Sequence, residues 1–139
     1  MGQLHMWVGI AVVALNAGAG AIGGIAWLRR EPSVTFWYVL RSAQAVVVLQ
    51  ALLGMALVMT GLTAPSDLHL VYGLLPLLVT LVSEALRVTA VQEEVDLETL
   101  DRSEQIVLAR RIVLREMGIM TTGALVILGL ALRAYFIAV

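Results

Sequence analysis

The chain contains two histidines, and each of them opens a long apolar run. His5 lies in "GQLHMWVGI" and His69 lies in "SDLHLVYGLLPLL". A glycine follows each histidine four residues later, Gly9 and Gly73, and residues at this spacing share one face of a helix. Imidazole binds transition metals, and a glycine beside it leaves room for a flat group against the backbone. This pattern is the one expected of two axial ligands for one haem iron. The alternative is that both are unrelated residues of the membrane edge, where histidine is tolerated.

The composition places the chain in the membrane. Of its 139 residues, 60% are hydrophobic and 14% are charged, whereas soluble domains carry about 25% charged residues. All nine basic residues are arginines, and none forms a basic run away from the apolar segments, so nucleic acid is not expected as a partner. The absence of cysteine excludes disulfides, iron–sulfur clusters and covalent c-type haem attachment. No basic stretch precedes the first apolar run, so a cleaved signal peptide is not expected.

Four segments are long enough to span a bilayer, for which about 20 apolar residues suffice. We therefore predict one all-α domain over residues 1–139, an integral membrane four-helix up-down bundle. Ser66 or Asp67 is placed to cap the third helix, and Asp101 or Ser103 the fourth. The predicted spans are 4–28, 34–62, 67–88 and 105–138, the last with a cytoplasmic extension, and a polar cytoplasmic loop covers 89–104.

The arginines predict the orientation, because cytoplasmic connections of membrane proteins carry an excess of basic residues. Eight of the nine flank the first and third connections, and only Arg133 lies near the opposite surface. Both of these connections are then cytoplasmic and both termini lie outside. We expect a multi-pass protein of a prokaryotic-type plasma membrane. The eight are Arg29, Arg30, Arg41, Arg87, Arg102, Arg110, Arg111 and Arg115.

The two histidines are expected at one depth. His69 precedes Arg87 by 18 residues, about 27 Å of helix, and His5 precedes Arg29 by 24 residues, about 36 Å. Both then lie near the outer edge of the hydrocarbon core. The first and third helices of an up-down bundle are diagonal neighbours, so both histidines can face its centre.

Two further residues of the outer surface are candidates for contact with a haem. Arg133 is a cation for a propionate, and Tyr72 lies at similar depth. The alternative is that the arginine reaches the lipid headgroups and the aromatic residues form an interfacial belt.

Charged residues also occur inside the predicted spans, toward their cytoplasmic ends. Because a charge in the hydrocarbon core is costly, such groups usually pair with one another. We interpret them as ion pairs that tie the second, third and fourth helices together, rather than as a proton or ion path, since no acidic chain continues outward. They are Arg41, Glu84, Arg87, Arg115 and Glu116.

The first helix also carries glycines at GxxxG spacing, Gly20 and Gly24. Small residues let helices approach closely in lipid. A dimer seam or a cofactor slot is one interpretation, and packing within the bundle is the favoured one.

The stretch "VVLQALLGMALVMTGLTAPSDLHLVYGLLPLL" resembles the haem A synthase family. There a helix with Gln-x-x-x-Gly, here Gln50 and Gly54, leads through a short outer turn to a histidine that opens the next helix. The first helix also resembles that family's preceding element. The resemblance covers about the first 80 residues and implies that His5 and His69 are a pair facing a b-type haem.

The sequence departs from that family at several positions. Gln3 and Leu4 stand where the family has an acidic residue before its first histidine, and Met6 stands where an arginine usually follows it. The family's outer cysteine pair is also missing. The resemblance therefore implies a haem-binding bundle and not haem A synthesis.

Three functions agree with these observations. The first is a small cytochrome-like protein that carries one haem b on His5 and His69, for electron transfer with an outer redox carrier or within a respiratory complex. The second is a non-catalytic accessory or assembly subunit of a larger membrane complex, without a cofactor. The third, a copper-handling protein that uses His5, Met6 and His69, is weaker, because copper(I) prefers more sulfur ligands.

Overall fold

Four long helices make up the protein. The computed structural model describes residues 2–64, 66–92 and 100–138. All four helices are long and apolar enough to cross a membrane. The prediction of an all-α membrane bundle with four spans is therefore confirmed. The helices are α1 (Gly2–Arg29), α2 (Val34–Met59), α3 (Asp67–Gln92) and α4 (Arg102–Ala138).

The helices pack in an up-down arrangement in which α1 and α3 are diagonal. Extensive contacts join α1 to α2, α1 to α4 and α3 to α4, and the contact between α2 and α3 is much the smallest. We call the end that carries His5 and His69 the histidine end, and the end that carries Arg29 and Arg87 the arginine end. The sparse α2–α3 contact makes that side of the bundle the most open.

Several helix boundaries differ from the prediction by a few residues, most clearly the ends of α2 and α3. α2 ends at Met59 rather than Leu62, because Thr60 occupies its C-cap and Gly61 takes a left-handed backbone conformation with φ of 82°. α3 continues past Val88 to Gln92. The remainder of the predicted polar loop over residues 93–99 lies outside the described residues.

Side-chain caps start α3 and α4. The Ser66 hydroxyl accepts a hydrogen bond from the His69 N–H at 3.2 Å. Asp101 accepts from the Glu104 N–H at 2.8 Å, while its own N–H donates to the Glu104 carboxylate at 3.2 Å. This capping box starts α4 at residue 102, three residues before the predicted 105. Hydrogen bonds from the Ser103 hydroxyl and from the Glu104 N–H lower the pKa of Asp101.

The tightest packing lies toward the arginine end. Phe36, Met117 and Met120 are buried there between α1, α2 and α4. A Cβ at Gly23 would come within 2.5 Å of the Phe36 ring, so this glycine permits the close approach of α1. Gly24 has no neighbour within 4 Å at the same position. The favoured interpretation, in which small residues of α1 pack within the bundle, therefore describes Gly23 and also Gly20, where a Cβ would lie 2.5 Å from Leu125 of α4, but not Gly24.

Candidate functional site

His5 and His69 lie next to each other at the histidine end. Their ring centroids are 6.2 Å apart and their planes are inclined at 64°. Histidine–metal bonds of about 2.0–2.1 Å place the centroids of two imidazoles on opposite sides of one ion about 6.3 Å apart. The observed separation matches this distance. In the present arrangement the two rings meet edge-on, and the Nε2 atom of His5 contacts the Gln50 amide.

His69 has the environment that metal-binding histidines usually have. Its Nδ1 lies 3.1 Å from the carbonyl oxygen of Ala134 on α4. A ligating histidine generally donates its other ring N–H to a carbonyl or carboxylate, which fixes the tautomer and the orientation of the ring. With the proton on Nδ1, Nε2 carries the lone pair that a metal ion requires.

His5 is held by α2 through a reciprocal pair of contacts. Its Nε2 lies 3.2 Å from the side-chain amide nitrogen of Gln50. A Cβ at Gly54 would meet the His5 ring at 3.2 Å, and a Cβ at Gly9 would meet the Gln50 amide at 3.1 Å. Each polar side chain thus lies over a glycine of the opposite helix. Gly9, which the sequence suggested as room for a cofactor ring, instead accommodates Gln50.

Two polar atoms of this contact are buried without a hydrogen-bond partner in the described part of the chain. They are Nδ1 of His5 and Oε1 of Gln50. A buried unpartnered polar group costs about 1–3 kcal/mol, and native proteins retain few of them. One of these two unpartnered atoms therefore belongs to a candidate metal ligand, and the other belongs to the side chain in contact with it.

The surroundings of His69 are more open than those of His5. A Cβ at Gly73, one turn along α3 from His69, would have no neighbour within 4 Å. Tyr72 is partly buried and Arg133 is exposed, one residue before Ala134.

Within residues 2–64, 66–92 and 100–138, no three His, Asp or Glu side chains come together as a metal site would require. Met6, the third residue of the copper alternative, is 46% exposed.

The predicted intramembrane charges form a cluster at the arginine end. Glu84 of α3 accepts hydrogen bonds from Arg41 of α2 and from Arg87, the latter at 2.9 Å. Gln44 of α2 donates to the same carboxylate at 2.7 Å. Arg87 also lies 3.7 Å from Glu116 of α4. The cluster therefore joins α2, α3 and α4, and Glu84 is its centre.

Two observations bear on the role of this cluster. Arg115 is exposed on α4 beside Glu116. An apolar group of buried residues lies between the cluster and the histidines along the helices, and it comprises Val12, Val47 and Ile127. This layer supports a structural role for the charges over an ion path.

Several hydrogen-bond partners of the histidines and of Glu84 were not predicted from the sequence. Neither the Ala134 carbonyl at His69 nor the amide of Gln44 at Glu84 had a recognisable signal. The contact between Gln50 and His5 had one, since Gln50 and Gly54 repeat the four-residue spacing of His5 and Gly9. On two successive antiparallel helices, the polar side chain of each pair can pack against the glycine of the other pair.

No protein-family model, curated protein or solved structure matches this chain.

Proposed function

We propose that this protein is a small membrane cytochrome that binds one haem b through His5 and His69. The observation that carries the proposal is the 6.2 Å separation of the two imidazole rings. When bound, a haem with two axial histidines supplies one-electron transfer, since no position remains for oxygen. The two histidines would hold it, Gly73 would leave space near His69, and Arg133 and Tyr72 would be the candidates to bind its anionic groups.

The resemblance to haem A synthases supports the same assignment. It relates His5 and His69 to the histidine pair of one four-helix half of that family, and Gln50 and Gly54 to its Gln-x-x-x-Gly helix. The departures at Gln3, Leu4 and Met6 favour haem binding without that family's chemistry.

The position of the histidines limits how the protein would work. Both lie at one end of the bundle, and an apolar layer separates them from the arginine end. Two histidines that hold one redox cofactor at this end would support electron exchange at that membrane surface only. We infer a partner at that surface, either an outer redox carrier or another subunit of a respiratory complex in a prokaryotic-type plasma membrane.

Absorption spectroscopy tests the proposal. The protein is purified in detergent from haem-replete cells, and spectra are recorded before and after reduction with dithionite. We expect a Soret band and, after reduction, sharp α and β bands. The bands should be lost in His5→Ala and in His69→Ala.

Trp7→Phe is the control, because Trp7 lies on the same end of α1 and its side chain is 61% exposed. It should retain the wild-type spectrum. A folded wild-type protein that remains colourless after incubation with haemin would refute the proposal.

One observation favours a second candidate, the accessory subunit without a cofactor. Each histidine already contacts a neighbouring helix, His5 at Gln50 and His69 at Ala134. Such contacts are sufficient to explain both residues as interhelical hydrogen-bonding groups. This candidate predicts a colourless protein whose His5→Ala and His69→Ala variants are less stable but assemble with the same membrane partners.

A further inference from the structure

The side-chain amide of Gln50 contacts the candidate ligand His5 with only one of its two polar atoms. Its nitrogen lies at Nε2 of His5, and its oxygen is buried without a partner. An amide nitrogen is only a donor, so the Nε2 atom that it contacts must be the acceptor. A neutral imidazole that accepts at Nε2 carries its proton on Nδ1.

The Nδ1 atom of His5 is the other buried atom without a partner. With its proton, it is a donor that lacks an acceptor, while Oε1 of Gln50 is an acceptor that lacks a donor. The two unpartnered atoms are therefore complementary and belong to side chains already in contact. Their pairing requires that the Gln50 amide leave Nε2, as it would when another group takes the Nε2 lone pair.

We propose that Gln50 is the positioning residue of His5 and exchanges partners when a metal centre binds. Without the centre, the amide N–H of Gln50 occupies Nε2 and fixes the proton on Nδ1. With it, Nε2 becomes the ligand and Oε1 of Gln50 accepts the Nδ1–H. His69 already has this arrangement, with the Ala134 carbonyl as the acceptor. The proposal rests on the proposed haem function for its second state only.

Gly9 contributes to the same contact between Gln50 and His5. Its missing side chain lets the Gln50 amide lie 3.1 Å from where a Cβ would be. A methyl group there would require the amide to shift by a few tenths of an ångström against His5. Gly9→Ala therefore disturbs the His5 contact without removing any polar group.

The first test needs no haem. Protein labelled with ¹⁵N-histidine is studied by NMR in detergent, and single-histidine variants assign the signals. We expect both histidines of the wild-type protein as Nδ1–H tautomers. In Gln50→Leu and in Gly9→Ala, His5 should lose this preference, while His69 keeps it.

The second test measures the haem-loaded protein. Loss of the outer partner of a metal-binding histidine typically costs 10–100-fold in metal affinity, and we expect this loss of haemin affinity in Gln50→Leu. Gln50→Glu retains an acceptor for Nδ1–H, so it should keep near wild-type affinity. Its stronger acceptor raises the basicity of the ligand and should make the midpoint potential more negative than that of the wild type.

Gln44→Leu is the matched control, because Gln44 is an amide on the same helix that bonds to Glu84 instead. It should leave the histidine tautomers, the haemin affinity and the potential unchanged. A wild-type His5 with its proton on Nε2 would overturn the proposal. So would a Gln50→Leu protein with wild-type affinity and potential. Failure of the wild type to bind haemin would refute the proposed function, and the tautomers would still decide the role of Gln50.

Discussion

Single glycines decide how closely the helices approach, and adjacent glycines differ in this respect. Gly9 and Gly54 admit the polar side chains Gln50 and His5, whereas Gly23 admits the Phe36 ring. Gly24 follows Gly23 directly and has no neighbour within 4 Å. Substitution of alanine for glycine is therefore expected to lower the stability of the bundle at some of these positions and not at others.

Gly23→Ala should destabilise the bundle by about 1–3 kcal/mol, the usual cost of overpacking a core. Phe36 would have to move, and the Thr121 hydroxyl also contacts the added methyl group. Gly24→Ala is the matched control and should be neutral or stabilising by up to about 1 kcal/mol, because alanine favours the helix. Unfolding by SDS titration in detergent measures both. Equal stability of the two variants would contradict the packing of α1 described above.

At the level of the helices, Glu84 fastens α3 to α2. These two helices share the smallest contact between neighbours, and Glu84 accepts hydrogen bonds from both Arg41 and Gln44 of α2. Since apolar packing between the two helices is sparse, the polar cluster supplies a large part of what holds them together.

Glu84→Gln should lower the free energy of unfolding by about 1.5–3 kcal/mol, the range for hydrogen bonds to a charged group. Glu31→Gln, an exposed carboxylate in the α1–α2 loop, is the control and should change little. A double-mutant cycle of Glu84→Gln with Arg41→Gln isolates the pair and should give a coupling of about 0.5–3 kcal/mol. A coupling of zero would show that the cluster does not join α2 to α3.

The positions of the helices could be predicted from the sequence. The residues through which the helices contact one another could be predicted only in part. Long apolar segments and their arginine-rich ends predicted four spans, and the observed ends differ by a few residues because of local caps such as Gly61 and Asp101. The spans are apolar on nearly all sides, so hydropathy does not identify which face meets a neighbour. This is why two contacts were not predicted, the hydrogen bond between Gln44 and Glu84 and the packing of the Gln50 amide against Gly9.

For the whole molecule, the arginine end is predicted to be cytoplasmic and the histidine end external. The chain contains no cysteine, so a single introduced cysteine reports the side of the membrane on which it lies. Thr63→Cys, in the α2–α3 loop at the histidine end, should react with a membrane-impermeant maleimide in intact cells. Ser103→Cys, at the start of α4, should react only after permeabilisation. The reverse pattern would contradict the assigned orientation.

The central claim is that His5 and His69 share one iron, and electron paramagnetic resonance of the oxidised protein tests it most directly. Two axial imidazoles produce a low-spin ferric signal, whereas loss of one ligand produces a high-spin signal. We predict a low-spin signal for the wild-type protein with one haem per chain, converted to high spin or lost in both His5→Ala and His69→Ala. A low-spin signal that survives either substitution, or a wild-type protein without bound iron, would contradict the account.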